Sequence, residues 1–385
     1  MNRCFEHWSG RLGGRKHELL PGGRAYRCRC GRPVFFRNSA CLACGTPLGY
    51  DSGLARIVPL DPGPVPGSWR SAAPDASADA PLVLRCANYD SPVGCNWLVP
   101  FEADGRPPAQ RLCVACRLNR TIPDLSWPEN VEHWRRIEVA KRRLVSQLIL
   151  LGLPVASRFE DPERGLVFDF LRSPPEGPRV MTGHDAGLIT LDIDEADDTH
   201  RETLRSRMHE PYRTLLGHLR HEVGHYYWMR LVDGTPLVDD FRALFGDERV
   251  DYAEALQRHY RDGAPPDWAL RHVSAYAASH PWEDWAETWA HYLHMVDVVD
   301  TALSFDIDPR QAGIEAEPFG AQALWRAGAP DSQPFLDFVN AWAGLTAALN
   351  ELSRSMGQPD FYPFVLPAAA VAKLQFIHCT VGAAS

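Results

Sequence analysis

The sequence predicts an α+β protein: small cysteine-stapled modules at the N-terminal end, then a mostly helical domain that carries a small β-sheet. Three observations lead there. Eight of ten cysteines fall into two closely spaced sets before residue 117. Gly165 to Phe170 and Gly187 to Ile193 are short apolar runs bounded by Gly and Pro, which read as strands. From Pro128 onward, most of the remaining apolar residues recur at helical spacing. With 385 residues, 45% of them hydrophobic, the chain can bury a full core and fill two or three domains. The expected divisions are a first ribbon over 1–50, a linker over 51–80, a second cysteine module over 81–125 and the helical domain over 126–385.

Met1 to Gly10 contain no apolar core of a secretory signal, and no run of 18 or more apolar residues suggests a membrane span. A cytoplasmic protein with no membrane contact is expected. In that compartment clustered cysteines point to metal before disulfides. Cys28-Arg29-Cys30 and Cys41-Leu42-Ala43-Cys44 form one set, with Gly31 and Gly45 after each half as tight knuckles need. Val34-Phe35-Phe36 reads as a short strand between them. Cys86, Cys95, Cys113 and Cys116 form the second set. Each quartet is expected to hold one structural Zn²⁺, which in so small a segment replaces a core: about 10–16 kcal/mol in isolated finger peptides. Cys4 and Cys379 are left as bystanders.

Net charge is −9, but residues 1–50 hold nine Lys/Arg against two Asp/Glu. A basic head favours acidic partners such as nucleic acid. Two negative charges on a Zn(Cys)₄ centre offset part of that excess, so nucleic acid is the secondary reading. Ser71 to Ala80, rich in Ser, Ala, Asp and Pro, cannot form a core and reads as linker.

In the helical domain, Trp134, Ile137, Leu144, Leu148 and Leu151 mark one face of a helix that starts at Pro128 and ends at Gly152-Leu153-Pro154. Arg135, Arg136, Lys141, Arg142 and Arg143 lie mostly off that face and read as solvated. After the two strands comes Glu210-Pro211 and then Leu215, Leu219 and Val223 at helical spacing, with Pro211 at a plausible first position. Asp247 to Gly263 is expected as one helix closed by Gly263. Pro281 opens another, and Phe335 to Arg354 and Pro367 to His378 complete the set.

The second of these helices carries His221-Glu222-Val223-Gly224-His225. Helical spacing sets His221 and His225 one turn apart on a single face, near enough to share a metal ion, with Glu222 beside them. Neutral imidazoles are good Zn²⁺ ligands, and an open fourth position on the ion activates water. Glu222, a carboxylate that is not itself a ligand, suits a general base. Gly217 and Gly224 lie near the His221 face, where a missing Cβ admits another backbone. On the Pro281 helix, Glu283 and Glu287 share a face. Glu283 is the expected third ligand, with His280, Asp284 and His294 as alternatives. The reading is therefore one catalytic zinc and a peptide or protein substrate. The rival is a binding protein whose ribbons grip a partner and whose central zinc is structural.

Several stretches carry a resemblance. Trp228 and Leu231 stand where metzincins place a Gly and a third His, which excludes that subclass. Glu283 and Glu287 resemble the pair in gluzincins, where the first completes the zinc sphere and the second orients a ligand histidine. Tyr276, seven residues before Glu283, resembles the tyrosine of lethal-factor-like gluzincins that faces the zinc, and a phenol there donates to a developing oxyanion. Over nearly its whole length the chain is similar to the bacterial zinc-binding metallopeptidases that carry an N-terminal zinc ribbon. That rests on Cys113-Val114-Ala115-Cys116-Arg117-Leu118-Asn119, Thr121 to Leu125, Arg220 to Trp228, His280 to Glu287, and Ser355-Met356-Gly357-Gln358-Pro359-Asp360-Phe361-Tyr362-Pro363. The resemblance implies a zincin-like peptidase domain, with Glu222 as base.

Overall fold

Two short strands, β1 (Tyr26–Arg27) and β2 (Pro33–Val34), pair antiparallel and bring Cys28 and Cys30 into one knuckle. Gly31 and Gly45 close the two knuckles at φ of 80° and 74°, a region costly for any residue with a Cβ. The computed structural model describes residues 23–73, 76–77, 80–174, 176–207, 213–308 and 318–384. Met1 to Gly10, Cys4 and Pro211, on which expectations were placed, lie outside them.

The segment read as a linker is structured as far as Ser71. It continues β3 (Leu48–Asp51) into β4 (Arg56–Pro62) and β5 (Ser68–Ser71), which pair antiparallel with β6 (Val83–Arg85) and β7 (Leu98–Pro100) in the order β3-β4-β5-β6-β7. Val58 and Leu60 on β4 are buried against Val83 and Leu98. Gly63, Pro64, Pro66 and Gly67 form the tight turn between β4 and β5, where Gly63 N–H donates to Ser68 O at 2.8 Å. The five-stranded sheet follows directly on Cys41 and Cys44 and carries Cys86 and Cys95 between β6 and β7, and it curls until Tyr50 N–H donates to Asn96 O at 2.8 Å.

The division at residue 125 also cuts through paired structure. β8 (Asn119–Thr121) leaves the second cysteine module and becomes an end strand of the next sheet. Then comes α1 (Pro128–Leu150), whose expected apolar face is buried and which Gly152 ends at φ 70°. β9 (Val167–Leu171), β10 (Gly183–Asp185) and β11 (Leu188–Asp192) complete the second sheet, in the order β10-β11-β9-β8. β9 and β11 are the two expected strands, parallel to each other, and β10 turns back antiparallel as the other end strand.

The helices α2 (Asp198–Arg207), α3 (Leu215–Leu231), α4 (Leu237–Phe245), α5 (Tyr252–Asp262), α6 (Pro281–Ser304), α7 (Ser332–Ser355) and α8 (Ala368–Ala384) follow. α5 starts at Tyr252 rather than Asp247, because the Asp251 side chain caps it by accepting Glu254 N–H. Among the described residues no helix is long and apolar enough to cross a membrane.

The basic cluster of α1 is not a solvated face. Lys141 is fully buried, with Nζ 2.6 Å from the equally buried Glu138. Arg142 donates to Val93 O at 3.1 Å, and Arg143 bonds Asp297 at 2.8 Å. Only Arg135 and Arg136 stay outside, both paired with Glu132. The apolar stripe alone could not reveal this, since the partners come from other parts of the chain. Asp297 of α6 collects three guanidiniums: Arg24 at 3.1 Å, Arg143 at 2.8 Å and Arg220 at 2.8 Å. Burial alone would raise this carboxyl, but the three cations hold it far below the usual carboxylate range. Arg24 belongs to the cysteine-rich region, and its backbone N–H also donates to Ser304 at 2.8 Å. Ribbon and helical parts thus share one hydrophobic core.

Candidate metal centre

Thr214 caps α3 by accepting Gly217 N–H at 3.0 Å, and the helix then carries His221 and His225 on one face. α6 crosses α3 at Gly224, where a Cβ would stand 3.0 Å from the Ala286 Cα. Trp285 Nε1 donates to Gly224 O at 2.8 Å across the same crossing. That close approach, legible as a glycine beside the histidine face, delivers Glu283 to the histidines. One ligand atom from each of His221, His225 and Glu283 lies within 4.8 Å of the others, and all three residues are buried. Glu283 Oε2 is 3.0 Å from His221 Nε2, and Oε1 is 3.6 Å from His225 Nε2.

The donor chemistry of this cluster fits a cation. Glu287 Oε1 lies 2.8 Å from His221 Nδ1, and Ser274 donates to Oε2 of the same carboxylate at 2.6 Å. A carboxylate only accepts, so Nδ1 of His221 carries the hydrogen and Nε2 of the neutral ring presents a lone pair. That lone pair faces the Glu283 carboxylate at 3.0 Å, a contact that needs a cation between them or a second proton on the ring, and a metal ion supplies the first. The second histidine is held differently. His225 Nδ1 has no hydrogen-bond partner among the described residues, and the Trp282 ring packs on the imidazole with centroids 4.1 Å apart.

The alternatives are engaged elsewhere. His280 caps α6, accepting Trp282 N–H at 3.0 Å. Asp284 takes Lys373 at 2.5 Å and His272 at 3.1 Å. His294 Nδ1 lies 2.7 Å from an Arg220 amino group, which can only donate.

Glu222 is buried beside the histidines, its Oε2 without a hydrogen-bond partner among the described residues. Burial raises its carboxyl, but His218, His221 and His225 outweigh that and hold it below the usual range. Tyr276 stands in a helical turn (Tyr276–Ser279), its ring 6.1 Å from that of His221. Burial, then the nearby Glu283, keeps its phenol protonated far above the ordinary range, so it remains a donor.

Four further groups at this centre were missed in the sequence. His218, one turn before Glu222, was legible from spacing alone. Glu195, which is 2.6 Å from His218 Nδ1, comes from the turn after β11. His184, on β10, stacks 6.2 Å from His225, and burial lowers its pKa to about 4. Tyr252, at the start of α5, donates to Glu283 Oε1 at 2.6 Å. Glu195, His184 and Tyr252 depend on long-range folding and left no signal in the spacing. Tyr252→Phe is expected to weaken zinc binding at this cluster about tenfold or more, as loss of a ligand's supporting hydrogen bond commonly does. Competition with a chromophoric chelator measures it, and an unchanged affinity would make the bond incidental.

The cysteines meet as their spacing suggested. Cys28, Cys30, Cys41 and Cys44 converge, as do Cys86, Cys95, Cys113 and Cys116. Sulfur pairs stand 3.7 Å (Cys28 and Cys44), 3.8 Å (Cys30 and Cys41) and 3.7 Å (Cys95 and Cys113) apart. A disulfide is about 2.05 Å. A tetrahedron with sulfurs about 2.3 Å from a central zinc has edges of about 3.8 Å, which these distances match. Cys379, outside both sets, lies 3.6 Å from Asp331.

Fold and donor sets together define a zinc-binding protein with a zinc ribbon in front of a helical metal centre. The family described as "Putative zinc-binding metallo-peptidase" matches residues 130–380, a zinc-ribbon domain matches residues 25–127, and the chain belongs to that peptidase family. Among its relatives are uncharacterized proteins of Mycobacterium bovis and of two strains of Mycobacterium tuberculosis. Each is 42% identical over 360 residues, covering 93% of this chain and 95% of the relative. No solved structure matches.

Proposed function

We propose that this protein is a cytoplasmic gluzincin-type zinc peptidase that hydrolyses peptide bonds in peptides or proteins. The observation that carries the reading is the meeting of His221, His225 and Glu283 around one point, with a buried Glu222 beside them that is not part of the triad. His221, His225 and Glu283 would hold the catalytic ion, and the two cysteine quartets would hold structural ions. When bound, zinc supplies Lewis acidity, polarising a carbonyl and bringing the pKa of water to about 7.

The rest falls to the chain. Glu222, with Oε2 open, takes the proton of the attacking water and can return it to the leaving amine. Glu287 keeps the His221 lone pair aimed at the ion. Tyr276 donates to the carbonyl oxygen as charge develops there. β10, an end strand of its sheet whose His184 neighbours His225, offers main-chain groups to an extended peptide. A purely structural zinc would more often have four protein ligands and needs no base beside it, so Glu222 favours the enzyme over the binding-protein reading.

The full chain should carry about three zinc ions by this ligand count. A mild chelator should strip the triad first, because three ligands hold the ion less completely than four thiolates. Cleavage of a proteome-derived peptide library should stop at that point and return with one added equivalent of zinc. No cleavage at full zinc occupancy, or loss of all zinc in one step with unfolding, would contradict the proposal.

A further inference from the structure

We infer that His218 is a positioning residue for Glu222, itself clamped by Glu195. This rests on the peptidase reading above and assigns a role to groups outside the zinc triad. The contacts form a chain. Thr182 donates to Glu195 Oε1 at 2.6 Å, Glu195 Oε2 lies 2.6 Å from His218 Nδ1, and His218 Nε2 lies 3.3 Å from Glu222 Oε1. Carboxylates only accept, so Nδ1 donates to Glu195, while Nε2 faces Glu222 Oε1 at ion-pair distance and the ring sits between the two.

The anchor is itself held. Glu195 is 4% exposed, Arg201 donates to its backbone carbonyl at 2.6 Å, and Arg213 stands 3.7 Å from its Oε2. Helix geometry supplies the rest, because His218 precedes Glu222 by one turn and shares its face.

The consequence concerns the two oxygens of Glu222. His218 takes Oε1, while Oε2 has no partner among the described residues and is left to receive a proton. A free glutamate arm next to two histidines could instead swing in as a fourth ligand and close the open position. Holding one oxygen prevents that and fixes the direction of proton transfer, the kind of orientation on which rate depends steeply.

The test uses the full-length zinc-loaded protein with the peptide library as probe. His218→Ala is expected to lower kcat about 10–100-fold, the usual range for lost supporting contacts, with KM changed less than about twofold because substrate binding is spared. Zinc content should not change. Glu195→Gln, which keeps size and shape, should act in the same direction, and the double variant should be no worse than His218→Ala, since the two act through one contact.

A readout independent of activity is the His218 ring in ¹⁵N-histidine spectra. Both ring nitrogens should carry hydrogens, and the Nε2 hydrogen should lose its protection from exchange in Glu222→Ala. Wild-type kcat in His218→Ala, a change in KM alone, zinc lost together with activity, or an Nε2 hydrogen indifferent to Glu222→Ala would each overturn the inference. Failure of the wild type itself to cleave would instead sink the peptidase reading and this role with it.

Discussion

Glu283→Ala should leave the purified protein with about two zinc ions in place of about three, because it removes one of only three ligands at the histidine pair. The cysteine quartets lie in a different part of the chain and should keep theirs. Glu287→Ala should differ in kind. Glu287 does not lie among the converging ligand atoms; it bonds His221 Nδ1 at 2.8 Å. Its loss releases the ring rather than the ion, an effect of about 10–100-fold in affinity. Zinc stoichiometry and chelator competition on both variants distinguish the roles. Full occupancy in Glu283→Ala, or a deeper loss in Glu287→Ala, would reverse them.

The largest effect on stability is expected at Asp297, away from the chemistry. Its carboxylate neutralises Arg24, Arg143 and Arg220, all within 3.1 Å. Asp297→Ala leaves three guanidiniums gathered around a vacated partner, with Asp300 at 3.5 Å from Arg24 Nε as the remaining carboxylate. Breaking a buried pair from one side costs about 3–5 kcal/mol, a large share of a typical total of about 5–15 kcal/mol. The melting temperature should fall, and the segment around Arg24 should become cut earlier by trypsin, since Asp297 ties it to the helical core. An unchanged melting temperature would mean that the network contributes little. Arg220 adjoins His221, so the same variant should also weaken zinc binding at the triad.

Local chemistry made much of this legible in advance. His221 and His225 followed from helical spacing, Glu283 and Glu287 from a shared face on a helix opened by Pro281 and their resemblance to the gluzincin pair, and the cysteine sets from their close spacing, with knuckle glycines in the first. Gly224 announced the helix crossing. What escaped was long-range. β4 and β5 were hidden because the prolines and glycines of one tight turn dominated the composition of the whole segment. Lys141, Arg142 and Arg143 read as solvated because their partners are a neighbouring glutamate turned inward, a backbone carbonyl from the second cysteine module and a carboxylate on α6. Tyr252 and Glu195 sit at the metal centre through folding alone. β10, three residues long and partly polar, has too little pattern to read.

The central claim, that Glu222 is the base of a zinc peptidase, is tested most directly by Glu222→Gln. The change keeps the side chain's size and spares His221, His225 and Glu283. Zinc content and peptide-library cleavage should be measured on the same preparations of wild type and variant. The account predicts an unchanged content of about three zinc ions in both, cleavage by the wild type and none by the variant. Equal cleavage by the two proteins, or none by either at full zinc occupancy, would contradict it.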